Sequence, residues 1–321
     1  MTELANELFG QGAPWADLLE RGRRRALPHA LLIEGGTGCG KSLAARLLAA
    51  AILGGDDPAA TARARSGQHL DLHVLEVEEG KVEIAVEAVR GLLDRLGRTA
   101  LEGGARVAIV DPADRLNEQG QNALLKTLEE PGEDAFLLLV TRRPEALLET
   151  VRSRTQRFAV RPLSASQLRD ALVLPPGIDP KERSRAIARA RGSLGRAREL
   201  LSEDAVRLRS ALEQFLADPR PSRIRSTLDA LLSGPAGKAE GVSAVRAAIG
   251  VLGETLREPF VAVLAGPTAD AYPAAGFDVV LDALEAVIAA EADLDSGIPH
   301  AQVLEGLLLR LTVAATSPTR G

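Results

Sequence analysis

The feature that most constrains this chain is the run Gly35-Gly36-Thr37-Gly38-Cys39-Gly40-Lys41-Ser42. It fits G-x-x-x-x-G-K-[ST] at every position. The apolar run His29-Ala30-Leu31-Leu32-Ile33-Glu34 precedes it, and an Ala/Leu-rich stretch from Ser42 to Leu53 follows. Strand, glycine turn and helix, in that order, is the context in which such a loop works. Glycines let main-chain N–H groups converge on phosphate oxygens, and the helix N-terminus adds its partial positive charge. The pattern assigns Lys41 to the β/γ-phosphates of a nucleotide such as ATP and Ser42 to its Mg²⁺. Cys39 occupies a loop position that takes any small residue; the alternative is a thiol made reactive by the helix N-terminus.

The remainder of the first half repeats the alternation. Leu72 to Val77, Val107 to Asp111, Phe136 to Thr141 and Gln156 to Val160 read as strands. Val86, Val89, Leu92, Leu93 and Leu96 fall on one helical face, and Asn117 to Glu130 is a helix stopped by Pro131-Gly132. Short apolar strands alternating with helices predict a five-stranded parallel sheet covered on both faces. After Pro162 the strand signals cease. Pro175-Pro176-Gly177 and Ile178-Asp179-Pro180 mark a small, slightly basic helical unit. Longer helices follow, divided near Pro219–Pro221, Ser233-Gly234-Pro235, Gly266-Pro267 and Gly297-Ile298-Pro299. The expected domains are therefore 1–162, 163–205 and 206–321.

Composition narrows the function. Aromatic residues are 2% of the chain, which argues against base-stacking platforms for nucleic acid. The net charge is −5, so any DNA contact is local or shared with partners. One cysteine excludes disulfide scaffolds and four-cysteine zinc sites. Met1-Thr2-Glu3-Leu4 has no apolar segment of signal-peptide type, and no apolar run reaches the ~18 residues of a membrane span. The expected location is the cytoplasm.

Asp111 ends a buried strand, where the second Mg²⁺-side carboxylate of a P-loop NTPase belongs. In many hydrolytic members a glutamate follows that aspartate and polarises water; here Pro112 follows and has no acid–base group. Asp114 offers a substitute carboxylate, although a solvated or helix-capping acid is the expected reading. His69 and His73 sit on a strand-like segment, too far apart for one ion, so no metal pair is expected.

Asn122-Ala123-Leu124-Leu125-Lys126-Thr127-Leu128-Glu129-Glu130-Pro131, followed by Phe136–Thr141, Arg142-Arg143-Pro144-Glu145 and Val151-Arg152-Ser153-Arg154-Thr155, resembles the clamp-loader branch of the AAA+ ATPases. His29-Ala30-Leu31-Leu32, His69-Leu70-Asp71-Leu72-His73, Gly192-Ser193-Leu194-Gly195 and Leu304 to Leu311 are similar to that family too. The resemblance implies an α/β P-loop AAA+ sheet domain, a small helical lid and an all-α C-terminal collar that packs into a hetero-oligomeric ring. It implies a subunit of delta-prime type in the bacterial DNA polymerase III clamp loader, which helps place a sliding clamp on primed DNA. Thr141 then stands where sensor 1 probes the γ-phosphate. Ser153-Arg154-Thr155 matches Ser-Arg-Cys, whose arginine reaches a neighbouring subunit's ATP site. DNA would meet the Asn117–Glu130 helix, with Lys126 as a candidate contact unless it is simply solvated.

The departures matter as much. The four-cysteine zinc module of many members is missing from Gly54–Gln68, so no zinc is expected. The sensor 2 arginine is replaced by Gly195, with Arg196 one residue later. With Pro112, this implies ATP binding with little hydrolysis by the chain itself. The alternatives are an ATP-hydrolysing gamma/tau-type motor, which Lys41-Ser42 favours and the end at Gly321 without a long extension disfavours, and a small-molecule P-loop kinase. Leu304, Leu307, Leu308 and Leu311 are assigned mostly to internal core.

Overall fold

The computed structural model describes residues 4, 7–78, 81–102, 104–173, 178–232, 245, 249–253, 256, 277–296 and 298–316. The proline and glycine breaks expected at 175–177, 233–235, 266–267 and 297 lie outside them. The chain divides into two compact units, Met1–Arg198 and Glu199–Gly321.

The first unit holds five strands, β1 Ala30–Glu34, β2 Leu72–Leu75, β3 Arg106–Val110, β4 Ala135–Thr141 and β5 Gln156–Ala159. All pair in parallel, in the order β2-β3-β4-β1-β5. The strand expected over 72–77 stops at Leu75. Alternate side chains of each strand enter two different cores, the period-2 consequence of the pleat. Leu31, Ile33, Val107, Ile109, Leu138 and Val140 face one core. Ala30, Leu32, Ala108, Val110, Leu137 and Leu139 face the other. That is why these segments read as unbroken apolar runs rather than as alternating ones.

Helix α1, Gly12–Arg23, and helix α2, Lys41–Gly54, cover the first face. Trp15 of α1 is buried there, its ring 5.8 Å from that of Phe158 on β5. Helix α3, Pro58–Arg65, packs on α2; Asp57 caps it by accepting from the Ala59 amide at 2.8 Å, with Pro58 in its first turn. Helices α4, Val86–Leu96, and α5, Glu118–Glu129, cover the second face. Asn117 caps α5 through the Gly120 amide. A short helix α6, Glu149–Arg152, leads into β5, and α7 Ala165–Ala171, α8 Pro180–Arg189 and α9 Leu194–Leu200 follow the sheet. Ser164 and Gln167 form a reciprocal capping box that starts α7.

The segment carrying His69 is a turn, not strand. His69 is buried, and its Nδ1 accepts from the Asp71 amide at 3.2 Å. The turn is fixed by two interlocked acids. Asp71 accepts from the amides of Leu101 and Glu102, and Glu102 accepts from the Leu70 amide and from Arg63. Side-chain capture of main-chain donors competes with ladder formation, and here it wins.

The second unit is helical where described: α10 Glu203–Ala217, α11 Pro221–Leu232, α12 Phe277–Asp295 and α13 His300–Thr316. Leu304, Leu307, Leu308 and Leu311 of α13 are buried in one cluster with Leu212 and Phe215 of α10, so they are core as expected.

Leu138 lies at the centre of β4 with no exposed surface. Leu138→Ala is expected to lower unfolding free energy by about 2–5 kcal/mol. Urea unfolding followed through Trp15, the single tryptophan, would check this; an unchanged midpoint would refute it.

Candidate phosphate-binding site

The C-terminal ends of β1, β3 and β4 converge on one edge of the sheet. β1 ends at Glu34, paired in register with Thr141 of β4. The chain then turns through Gly35–Gly40 into α2. Gly38 has φ +72, and a Cβ there would collide with the Ser193 hydroxyl. Gly40, with φ +93, is the left-handed residue that starts α2. Both positions therefore require glycine.

The sequence-predicted residues meet at this edge. Lys41 is half-buried and donates from Nζ to the Gly36 carbonyl at 2.7 Å. Burial pushes its pKa down, and the charges of Cys39, Asp111 and Asp114 oppose that shift. Asp111 follows β3. Burial pushes its carboxyl pKa up, while a hydrogen bond with the Ser42 hydroxyl pulls it back. The Ser42–Asp111 pair brings together two oxygen donors beside Lys41, the donor chemistry that Mg²⁺ takes. Ser193, from the segment before α9, is buried and donates to the Gly38 carbonyl at 2.8 Å. Its oxygen also accepts from the Arg196 amide at 3.0 Å. Gly195 lies in the first turn of α9, with nothing close to the place a Cβ would occupy.

Asp114 departs from expectation. It is not solvated and it caps no helix: its side chain is 1% exposed. Its Oδ1 accepts from the Thr141 hydroxyl at 2.9 Å and from the Arg142 amide at 3.4 Å, and its Oδ2 accepts from Arg143 Nε at 3.2 Å. The short 3-10 turn Ala113–Arg115 directs it inward, next to β4. A carboxylate with both oxygens so engaged has no position from which to polarise a water molecule. Burial alone would raise its pKa. The Thr141, Arg142 and Arg143 hydrogen bonds and the Arg143 charge outweigh that and hold it below the usual 3.8. The proximity of Arg142 and Arg143 to Asp114 depends on the β3–β4 pairing and has no local signal in the sequence.

Arg154 stands elsewhere. It lies in the turn between α6 and β5, donating to the Thr150 carbonyl at 3.0 Å and pairing with Glu129 at 2.8 Å. Gln156 pairs with Leu31, whereas the phosphate loop begins four residues beyond Leu31. At ~3.3 Å per residue the start of β5 and the loop are roughly 13 Å apart, at opposite ends of the strands.

Residues 10–164 match the family model described as DNA polymerase III, delta subunit. That match covers just under half of the chain. A DNA polymerase III subunit delta′ from Bacillus subtilis is 36% identical over 154 residues, covering 46% of this chain and 46% of that relative. A DNA polymerase III subunit gamma/tau from Mycobacterium bovis is 33% identical over 177 residues, 52% of this chain and 30% of that relative. This chain thus spans about half the length, or less, of the curated relatives it matches. A solved DNA polymerase III gamma subunit-related protein from Thermotoga maritima covers 92% of this chain and 98% of its own, at 18% identity and a TM-score of 0.46. At that level of likeness the topology stands on the observed strand order. Among the described residues no helix is long and apolar enough to cross a membrane.

The lowered pKa of Asp114 is a stability statement. Its contribution is present above pH 3.8, the unfolded value, and is lost as pH falls through the lower folded value. Asp114→Asn is expected to cost about 1–3 kcal/mol at pH 7. The difference from the unmutated chain should shrink as pH is taken below 3.8. Urea unfolding at the two pH values checks this; a pH-independent difference would refute it.

Proposed function

We propose that this chain is a delta-prime-type subunit of a DNA polymerase III clamp loader, which helps place a sliding clamp on primed DNA. In this reading residues 1–162 form the nucleotide-binding AAA+ domain, 163–205 the lid and 206–321 the collar. The chain binds ATP at Gly35–Ser42 and hydrolyses it little. Its Arg154 serves the ATP site of a neighbouring subunit, and the exposed Lys126 on α5 faces DNA phosphates.

The observation that carries the reading is the family match over 10–164, which spans both the phosphate loop and the Arg154 turn. The position of Arg154 supports the trans-acting role. Its own phosphate loop lies at the other end of the strands, so a phosphate within its reach belongs to another chain. A guanidinium remains charged and presents a planar fork to phosphate oxygens, which lysine does not. Pro112 has no acid–base group and Asp114 has both carboxylate oxygens engaged, which supports weak hydrolysis. Ser42 and Asp111 would hold Mg²⁺, which would offset charge on the β- and γ-phosphates. A gamma/tau-type motor is the second reading, favoured by the intact Lys41-Ser42 and by the Mycobacterium bovis relative.

Calorimetry of the isolated chain with Mg²⁺-ATP is expected to show binding that Lys41→Ala strongly weakens. No binding by the unmutated chain would count against the phosphate site. Turnover by the isolated chain is expected to stay below ~1 s⁻¹, the low end of typical enzyme values; a faster rate would favour the motor reading. In an assembled complex whose size has been verified, Arg154→Ala is expected to slow ATP hydrolysis by roughly 10³–10⁵-fold at the neighbouring site. Arg154→Lys should rescue it poorly, and an unchanged rate would remove the trans-acting role.

A further inference from the structure

This inference deepens the nucleotide reading and rests on it. Thr141 closes β4 beside Glu34, the last residue before the phosphate loop. Its side chain is fully buried, and its hydroxyl is engaged on both sides. Oγ1 donates to Asp114 at 2.9 Å and accepts from the Arg143 amide at 3.0 Å. A threonine hydroxyl has one proton and two lone pairs. With that proton on a carboxylate, it has only a lone pair left to present, and a phosphate oxygen has no use for one.

The proton is not easily released. A hydroxyl–carboxylate bond is stronger than a neutral one. Turning the hydroxyl towards a ligand would also leave a buried carboxylate short of a donor, which is costly. Asp114 is itself held in place by Arg143 and the Arg142 amide. The cluster is close enough to the phosphate loop for Asp114 and Arg142 both to act electrostatically on Lys41.

We propose that Asp114 is a positioning residue that withholds the Thr141 proton from the terminal phosphate of a bound nucleotide, so that the site holds ATP and ADP alike. Lys41 and the loop amides then supply the affinity, while the side chain best placed to detect the terminal phosphate is turned away from it.

The test is equilibrium titration of the full chain with Mg²⁺-ADP and with the Mg²⁺ complex of a non-hydrolysable ATP analogue. For the unmutated chain the two dissociation constants should agree within about threefold. Asp114→Ala frees the hydroxyl and should shift preference towards the triphosphate by about tenfold, the value of one hydrogen bond to a charged group. Asp114→Asn keeps a neutral acceptor for the proton and should fall between the two. If thermal unfolding shows the alanine variant to be unfolded, the asparagine variant carries the test. Adding Thr141→Val to Asp114→Ala should abolish the gain, which a merely structural effect of Asp114 would not produce. A tenfold or greater triphosphate preference in the unmutated chain overturns the inference. So does an unchanged ratio in the folded Asp114 variants, or a gain that survives Thr141→Val. Failure of the unmutated chain to bind either nucleotide overturns the phosphate site itself, and this inference with it.

Discussion

The position of β1 governs the rest of the first unit. It pairs in parallel with β4 on one side and β5 on the other, and Ala30 to Ile33 have no exposed surface. A strand buried on both faces and both edges can meet solvent only at its ends. Because all five strands run the same way, their C-terminal ends open on one edge, where main-chain groups and polar side chains gather without crossing the core. The phosphate loop leaves that edge after Glu34, Asp111 leaves it after β3 and Thr141 closes β4 there. Ligand sites in open α/β sheets lie at such strand ends for this reason.

The same constraint decided what could be read from sequence. Strands buried on both faces are continuous apolar runs, and the phosphate loop has a fixed spacing, so both were legible. Helix α1 was not, because it is a short amphipathic segment without an N-terminal cap: Gln11 makes no capping bond. Instead the Gln11 side chain pairs with the main chain of Arg161, 150 residues away, at 2.8 and 2.9 Å. Helix α3 did carry a local signal, Asp57 at its cap with Pro58 in the first turn. Asp114 was illegible for a deeper reason: its partners Thr141 and Arg143 come from another strand end, and only the β3–β4 register brings them together.

The phosphate-loop edge also shows how fixed contacts stand where movable ones are expected in a hydrolytic site. Ser193 ties the segment before α9 to the Gly38 carbonyl, while Gly195 offers no side chain at the first turn of that helix. Pro112 follows Asp111 without an acid–base group, and the Asp114 carboxylate is engaged by Thr141, the Arg142 amide and Arg143. Each feature alone is a small departure. In the proposed reading they leave the loop its groups for holding phosphate, while the groups that would respond to loss of the terminal phosphate are missing or engaged.

Arg154 precedes β5, and Glu129 at the end of α5 steadies its guanidinium. Both side chains are partly exposed, so that ion pair contributes little stability. Its consequence is geometric, because it keeps a charged, flexible side chain at one station on the rim of the sheet. A parallel strand necessarily places its two ends at opposite edges, so the residue entering β5 and the loop leaving β1 cannot serve one phosphate. In the proposed reading the sheet therefore separates holding a nucleotide from acting on one. If Arg154 acts on a phosphate, that phosphate must be supplied by a second subunit, and the function of this residue belongs to the assembly rather than to the chain alone.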